Sequence, residues 1–138
     1  MPRPTRGEVE AALVNAIIQF EKEHLGRGPA EARAFIVEDL VLIRLRGVLT
    51  PAEMSLAQTA DGHTLIKQVR RQLFESSRPI LDEIVQQVTG SPVVSLHTDI
   101  SVRSGERIIV FTMVEDLEDR FGWNRQDRVR GESKSPLS

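Results

Sequence analysis

Two short stretches of alternating apolar and polar residues, far apart in the chain, restrict the fold more than any other feature. Val41, Ile43 and Leu45 alternate with Leu42, Arg44 and Arg46, and Leu96, Thr98 and Ile100 alternate with Ser95, His97, Asp99 and Ser101. A β-strand sends successive side chains to opposite faces, so each stretch gives one strand a core face and an open face. Each stretch also belongs to a hairpin. Residues 32–37 and 40–48 are rich in β-formers around Glu38-Asp39. Residues 93–101 and 107–114 flank the turn Arg103-Ser104-Gly105-Glu106, where Gly105 is the natural left-handed residue.

A helical pattern precedes each hairpin. Thr5-Arg6-Gly7-Glu8 is a capping box, and Val9, Leu13, Ala16, Ile17 and Phe20 follow at helical spacing. Glu8, Glu10, Gln19, Glu21 and Lys22 fill the outer face, and Gly26-Arg27-Gly28-Pro29 ends a helix placed at about residues 5–24. Thr50-Pro51-Ala52-Glu53 opens a short helix that reaches about Thr59, with threonine as cap, proline first and glutamate third. Ala60-Asp61-Gly62-His63 reads as a break or bend. A long run over residues 64–88 then carries an apolar stripe of Ile66, Val69, Leu73, Ile80, Ile84 and Val88, with Lys67, Arg70, Arg71, Arg78 and Asp82 mostly away from it. Pro79 lies inside the run and predicts a kink or a restart near Ser77.

The order α-β-β-α-β-β predicts an α+β fold: one four-stranded antiparallel sheet with helices packed on one face. The 25-residue run would span roughly 38 Å, against about 23 Å for a seven-residue strand. The excess must bend, overhang the sheet or pack on a second copy, which predicts a homodimer. The domain is placed at residues 1–114. Residues 115–138 read as a polar C-terminal tail, with a short amphipathic helix from Glu115 to Phe121 and largely disordered sequence from Gly122 onward.

With 138 residues the chain can bury a core without staples. It contains no cysteine, so thiolate metal sites, disulfides and cysteine nucleophiles are excluded. A net charge of −2 gives no global attraction to nucleic acid or anionic lipid. No apolar run approaches the roughly 20 residues that cross a bilayer, and the N-terminus does not read as a secretory signal.

The polar face of the second alternating stretch is the place to look for a site. It gathers His97, Asp99 and two serine hydroxyls, and Arg33, Arg44 and Arg46 share that outer face if the register permits. Such a face binds a small anion or the acidic loop of a partner; the plainer reading is cross-strand hydrogen bonding on a solvated or dimer-covered surface. Arg27, in the glycine-rich segment, is a further anion-binding candidate, although that segment closes a helix and lacks the Gly-Lys-Ser/Thr of a phosphate loop. His97 and Asp99 are too few for a closed metal site, no Ser/His/Asp set stands out, and nothing calls for a cofactor. The chain is therefore read as non-enzymatic. Lys67, Arg70, Arg71 and Arg78 suggest nucleic-acid contact as the alternative, opposed by interspersed Glu75 and Asp82 and by the scarcity of aromatic residues.

Several ordered blocks carry a family resemblance. Ala16-Ile17-Ile18-Gln19-Phe20-Glu21-Lys22-Glu23, Gly26-Arg27-Gly28-Pro29, Val48-Leu49-Thr50-Pro51-Ala52-Glu53 and Ser95-Leu96-His97-Thr98-Asp99-Ile100 through Gly105-Glu106-Arg107 resemble the MpsC family, over roughly residues 8–114. That family is named for a sodium-translocating, membrane-potential-generating system linked to inorganic carbon uptake. The resemblance implies a soluble, cytoplasmic accessory protein, peripheral to the inner face of the membrane and docking on a transporter subunit. It supplies no catalytic residues and no cofactor.

Overall fold

The computed structural model describes residues 3–126. The elements are α1 (Arg6–His24), β1 (Glu31–Val37), β2 (Leu40–Arg46), α2 (Pro51–Leu56), α3 (Ala60–Thr89), β3 (Val93–Ser101), β4 (Glu106–Met113) and α4 (Leu117–Phe121). Both hairpins form where alternation places them, and β2 pairs with β4 to join them into one antiparallel sheet of order β1-β2-β4-β3. The capping boxes at Thr5/Glu8 and Thr50/Glu53 are both made, each threonine accepting from the third backbone N–H and each glutamate accepting from the cap. Gly105 takes φ +72°, as its turn requires.

Helices α1 and α3 cover one face of the sheet. From α1, Val9, Leu13, Ile17 and Phe20 meet Ile36, Val41, Ile43 and Leu45 of the first hairpin. From α3, Ile66, Phe74, Leu81 and Val85 join Leu96, Ile100, Ile109 and Phe111 of the second. On β3 an extra residue, Val94, interrupts the ladder between Val93 and Ser95. This bulge sends Val94 outward and leaves Leu96 and Ile100 facing the core.

Four expectations are corrected. The long helix begins at Ala60, so residues 60–63 are helical instead of a break; Thr59 caps it by accepting the Gly62 N–H at 3.0 Å. Of the kink or restart expected near Ser77, the restart is absent, and one helix runs through Pro79. Pro79 and Glu75, whose carbonyl loses its donor, both lie on the exposed side, where water can replace the missing bond. The buried stripe is one residue out of step with the expected one. Ile66, Arg70, Phe74, Leu81, Val85 and Thr89 face inward, while Leu65, Val69, Leu73 and Ile80 are 40–51% exposed. The helix has apolar residues over a wider arc than the sheet can cover, and the large Phe74 and Leu81 take the inner positions. Finally, Glu21 is not on the outer face of α1 but is buried, at 1% exposure.

The segment after β4 folds back on the start of the chain. Leu117 is fully buried, and Glu118 receives Arg6 at 2.8 Å and Arg125 at 2.9 Å. Trp123 stacks on Phe121 at 4.8 Å, and its indole N–H donates to the Pro4 carbonyl at 2.9 Å. Of the segment expected to be largely disordered from Gly122 onward, Trp123 packs against the core, and Gly122, Asn124, Arg125 and Gln126 are exposed. Its remainder, residues 127–138, lies outside the described residues.

Candidate functional site

The open face of the sheet separates the residues expected to act together. Across it, His97 pairs with Val110, Val110 with Leu42, and Leu42 with Phe35. The next row runs Asp99, Ile108, Arg44 and Arg33. With strands about 4.8 Å apart, Ile108 and Val110 hold His97 and Asp99 roughly 10 Å from the arginines of β2. The arginines have local partners. Arg44 donates to Glu106 at 2.8 Å, Arg46 lies 3.5 Å from Glu31 and 3.6 Å from Glu106, and Arg33 sits over the Phe35 ring at 4.8 Å. The Arg44 hydrogen bond, with the charge of Arg46, holds the Glu106 carboxyl below its ordinary range. Arg27 is elsewhere, reaching the Gly28 and Leu49 carbonyls at 3.4 Å. His97 is exposed.

Asp99 is engaged by groups other than His97. Its carboxylate accepts from the Ile100 N–H at 2.9 Å and lies 3.4 Å from Lys67 of α3, which reaches around the edge strand. Partial burial alone would raise the Asp99 pKa. The Ile100 hydrogen bond, Lys67 and the charge of Arg71 outweigh that and lower it.

This contact marks the mouth of a cavity of about 80 Å³ between α3 and β3, lined by Lys67, Arg71, Phe74, Glu75, Thr98, Asp99, Ile100 and Arg107. Its inner wall is Arg107, which alternation places on the core face of β4, at 3% exposure. Arg107 donates to the Thr98 hydroxyl at 3.0 Å and lies 4.5 Å from the Phe74 ring centroid. No carboxylate comes within 4 Å of it among the described residues. A guanidinium carries five N–H donors, and withdrawing one from water is costly unless charge and hydrogen bonds replace the water.

Arg70 and Glu21 are further buried charged groups. Arg70, 5% exposed, donates to Glu53 at 2.9 Å and to the carbonyls of Leu25 and Val48 at 3.1 and 3.0 Å. Glu21 comes from α1, and its Oε2 is buried without a hydrogen-bond partner. Burial pushes the Glu21 carboxyl up to about 7, against the opposing charges of Arg107 and Arg70. In turn, burial lowers the Arg107 pKa, with Glu21 acting against the shift.

The basic group considered for nucleic acid is dispersed: Arg70 is buried, Arg78 lies 3.6 Å from Asp82, and Lys67 is beside Asp99. Glu21, Arg70 and Arg107 were the residues that charge concealed, since each sits in phase with an apolar pattern.

The family is established by comparison. The chain belongs to the family described as "Na+-translocating membrane potential-generating system (MpsC)", whose model matches residues 5–115. It is 40% identical over 116 residues to the uncharacterised protein YbcI of Bacillus subtilis (strain 168), covering 84% of this chain and 94% of that protein. It is 24% identical over 108 residues to the uncharacterised protein YrhF of the same organism, covering 75% of this chain and 86% of that protein. No solved structure matches the chain.

Proposed function

We propose that the protein is a non-enzymatic accessory subunit of a Na+-translocating system linked to inorganic carbon (bicarbonate) uptake. It works at the cytoplasmic face of the membrane and docks on a membrane subunit through the open face of its sheet. The observation that carries this reading is the make-up of that face. Its centre is apolar, with Phe35, Leu42, Ile108 and Val110 all half-buried, and its margin is charged, with Arg33, Arg44, Arg46, Glu31 and Asp99. An apolar centre inside a polar rim is the usual make-up of a protein–protein contact. The family description, which names a Na+-translocating membrane potential-generating system, supports a membrane subunit as the partner. No helix among the described residues is long and apolar enough to cross a membrane, which fits a docking role in such a system.

The test is recovery of the membrane subunit by tagged protein from gently solubilised membranes, identified by mass spectrometry. Val110→Asp places a charge in the centre of the face and is expected to abolish recovery with an unchanged circular dichroism spectrum. Asp99→Arg at the rim is expected to weaken it. Undiminished recovery by Val110→Asp contradicts the reading, as does recovery of nuclease-sensitive ribosomal or DNA-bound proteins in place of a membrane subunit.

The same reading includes a homodimer formed through α3. The helix has 30 residues, about 45 Å, whereas the longest strand has nine, about 30 Å. Leu65, Val69, Leu73 and Ile80 line its uncovered side. Light scattering after size exclusion is expected to give twice the chain mass, and Leu73→Asp to give the single-chain mass. A single-chain mass for the unaltered protein removes the dimer and leaves the sheet-face assignment standing.

A further inference from the structure

We infer that the cavity between α3 and β3 is a binding site for a small oxyanion, with Arg107 as its inner wall and Lys67 and Arg71 at its mouth. The site lies across β3 from the docking face and does not depend on it.

Three features support the assignment. First, the cavity is built around a buried cation. Arg107 is 97% withdrawn from solvent, yet its hydrogen bond within the described residues goes to a neutral hydroxyl, Thr98 Oγ1. Its forked N–H groups suit a planar or tetrahedral oxyanion. Second, the lining carries three cations, Lys67, Arg71 and Arg107, against two carboxylates, Asp99 and Glu75. Asp99 is occupied by Lys67 and the Ile100 N–H, and its side chain is 75% exposed, so it points mainly toward water. Third, the cavity has room for such an ion. About 80 Å³ admits an ion of a few heavy atoms, given that a water occupies about 30 Å³ in the liquid. Phe74 and Ile100 close the remaining walls with apolar surface, against which an anion interacts with the cations more strongly than in open water.

Glu21 gives the site a sense of pH. The charged groups acting on Glu21 are Arg107 from β4 and Arg70 from α3, and Arg70 is itself paired with Glu53. When Glu21 is ionised, its charge offsets that of Arg107 and so opposes an anion at the cavity. When Glu21 is protonated, the full Arg107 charge is available. Anion binding therefore takes up a proton and weakens as pH rises through neutrality.

The experiment is a titration of the full chain with sodium sulfate, followed by amide chemical shifts, with sodium chloride at equal ionic strength as control. Sulfate does not titrate near neutrality, so any pH effect belongs to the protein. The expected result is saturable shifts at residues 98–100 and 107, absent with chloride, and roughly fivefold or more weaker at pH 8 than at pH 6. Arg71 is exposed and Lys67 half-buried at the cavity mouth, so Lys67→Gln with Arg71→Gln is expected to keep the circular dichroism spectrum and to weaken sulfate at least tenfold. Glu21→Gln is expected to remove the pH dependence while retaining binding. Shifts linear in sulfate, or equal shifts with chloride, overturn the site, and so does unchanged affinity in the Lys67/Arg71 variant. A pH dependence that survives Glu21→Gln overturns the coupling. Loss of docking in Val110→Asp with sulfate binding intact tests the accessory reading separately.

Discussion

Glu21→Gln is expected to stabilise the protein at pH 8 by about 3 kcal/mol and to have little effect near pH 4.5. The carboxyl has its pKa raised to about 7 in the folded chain, from an ordinary value of 4.5. Between those values the folded state holds a proton that the unfolded state has released, so stability falls as pH rises through that window and levels off above it. Each pKa unit corresponds to about 1.4 kcal/mol, and the difference amounts to about 3 kcal/mol. Glutamine keeps the shape of the protonated acid and cannot ionise, which removes the slope. In melting curves the variant should exceed the unaltered protein by roughly 10 °C at pH 8. The two curves should approach one another toward pH 4.5. Equal melting temperatures at pH 8 would mean that the carboxylate ionises without penalty, through relaxation of α1 or water reaching Oε2.

Arg70→Met is expected to have the opposite sign and a large cost. Arg70 joins three segments: the carbonyl at the end of α1 (Leu25), the carbonyl after β2 (Val48), and Glu53 in the first turn of α2. Methionine fills much of the volume but leaves two carbonyls without donors and Glu53 without its cation. Removing one member of a buried pair typically costs about 3–5 kcal/mol, because the other member remains. Glu53 keeps its bond to the Thr50 N–H at 2.9 Å, so α2 should stay capped. Denaturant unfolding measures the loss, and Arg70→Met combined with Glu53→Gln should recover part of it. A loss below 1 kcal/mol would show that the network contributes little and that packing alone holds the junction.

These two residues also show how far the sequence could be read. The hairpins, their faces and both capping boxes follow from local rules: alternation separates Val41, Ile43 and Leu45 from Arg44, and a threonine three residues before a glutamate starts a helix. The same periodicity places Glu21 four residues after Ile17, Arg70 midway between Ile66 and Phe74, and Arg107 two before Ile109. All three positions are buried. Charge pointed the other way, since ionised side chains are seldom fully buried unless paired, and their partners come from elements distant in sequence. Glu21 lies on α1, Arg70 on α3 and Arg107 on β4. The exposed cluster was less legible for a related reason. His97, Asp99, Arg44 and Arg33 do share a face, but the pairing of β2 with β4 inserts Ile108 and Val110 between the two halves. No local pattern specifies that pairing. Asp99 contributes instead at the edge of β3, with Lys67, where the strand meets the cavity.

In the proposed anion site a buried carboxylate, Glu21, and a buried guanidinium, Arg107, act as one proton-linked unit. The most direct measurement is a pH titration of the Glu21 side-chain carboxyl carbon by NMR, without and with saturating sulfate. The expected midpoint without sulfate is near 7. Because linkage is reciprocal, that midpoint is expected to move upward when sulfate is bound. A midpoint near the ordinary 4.5, or one that sulfate does not move, would contradict this coupling.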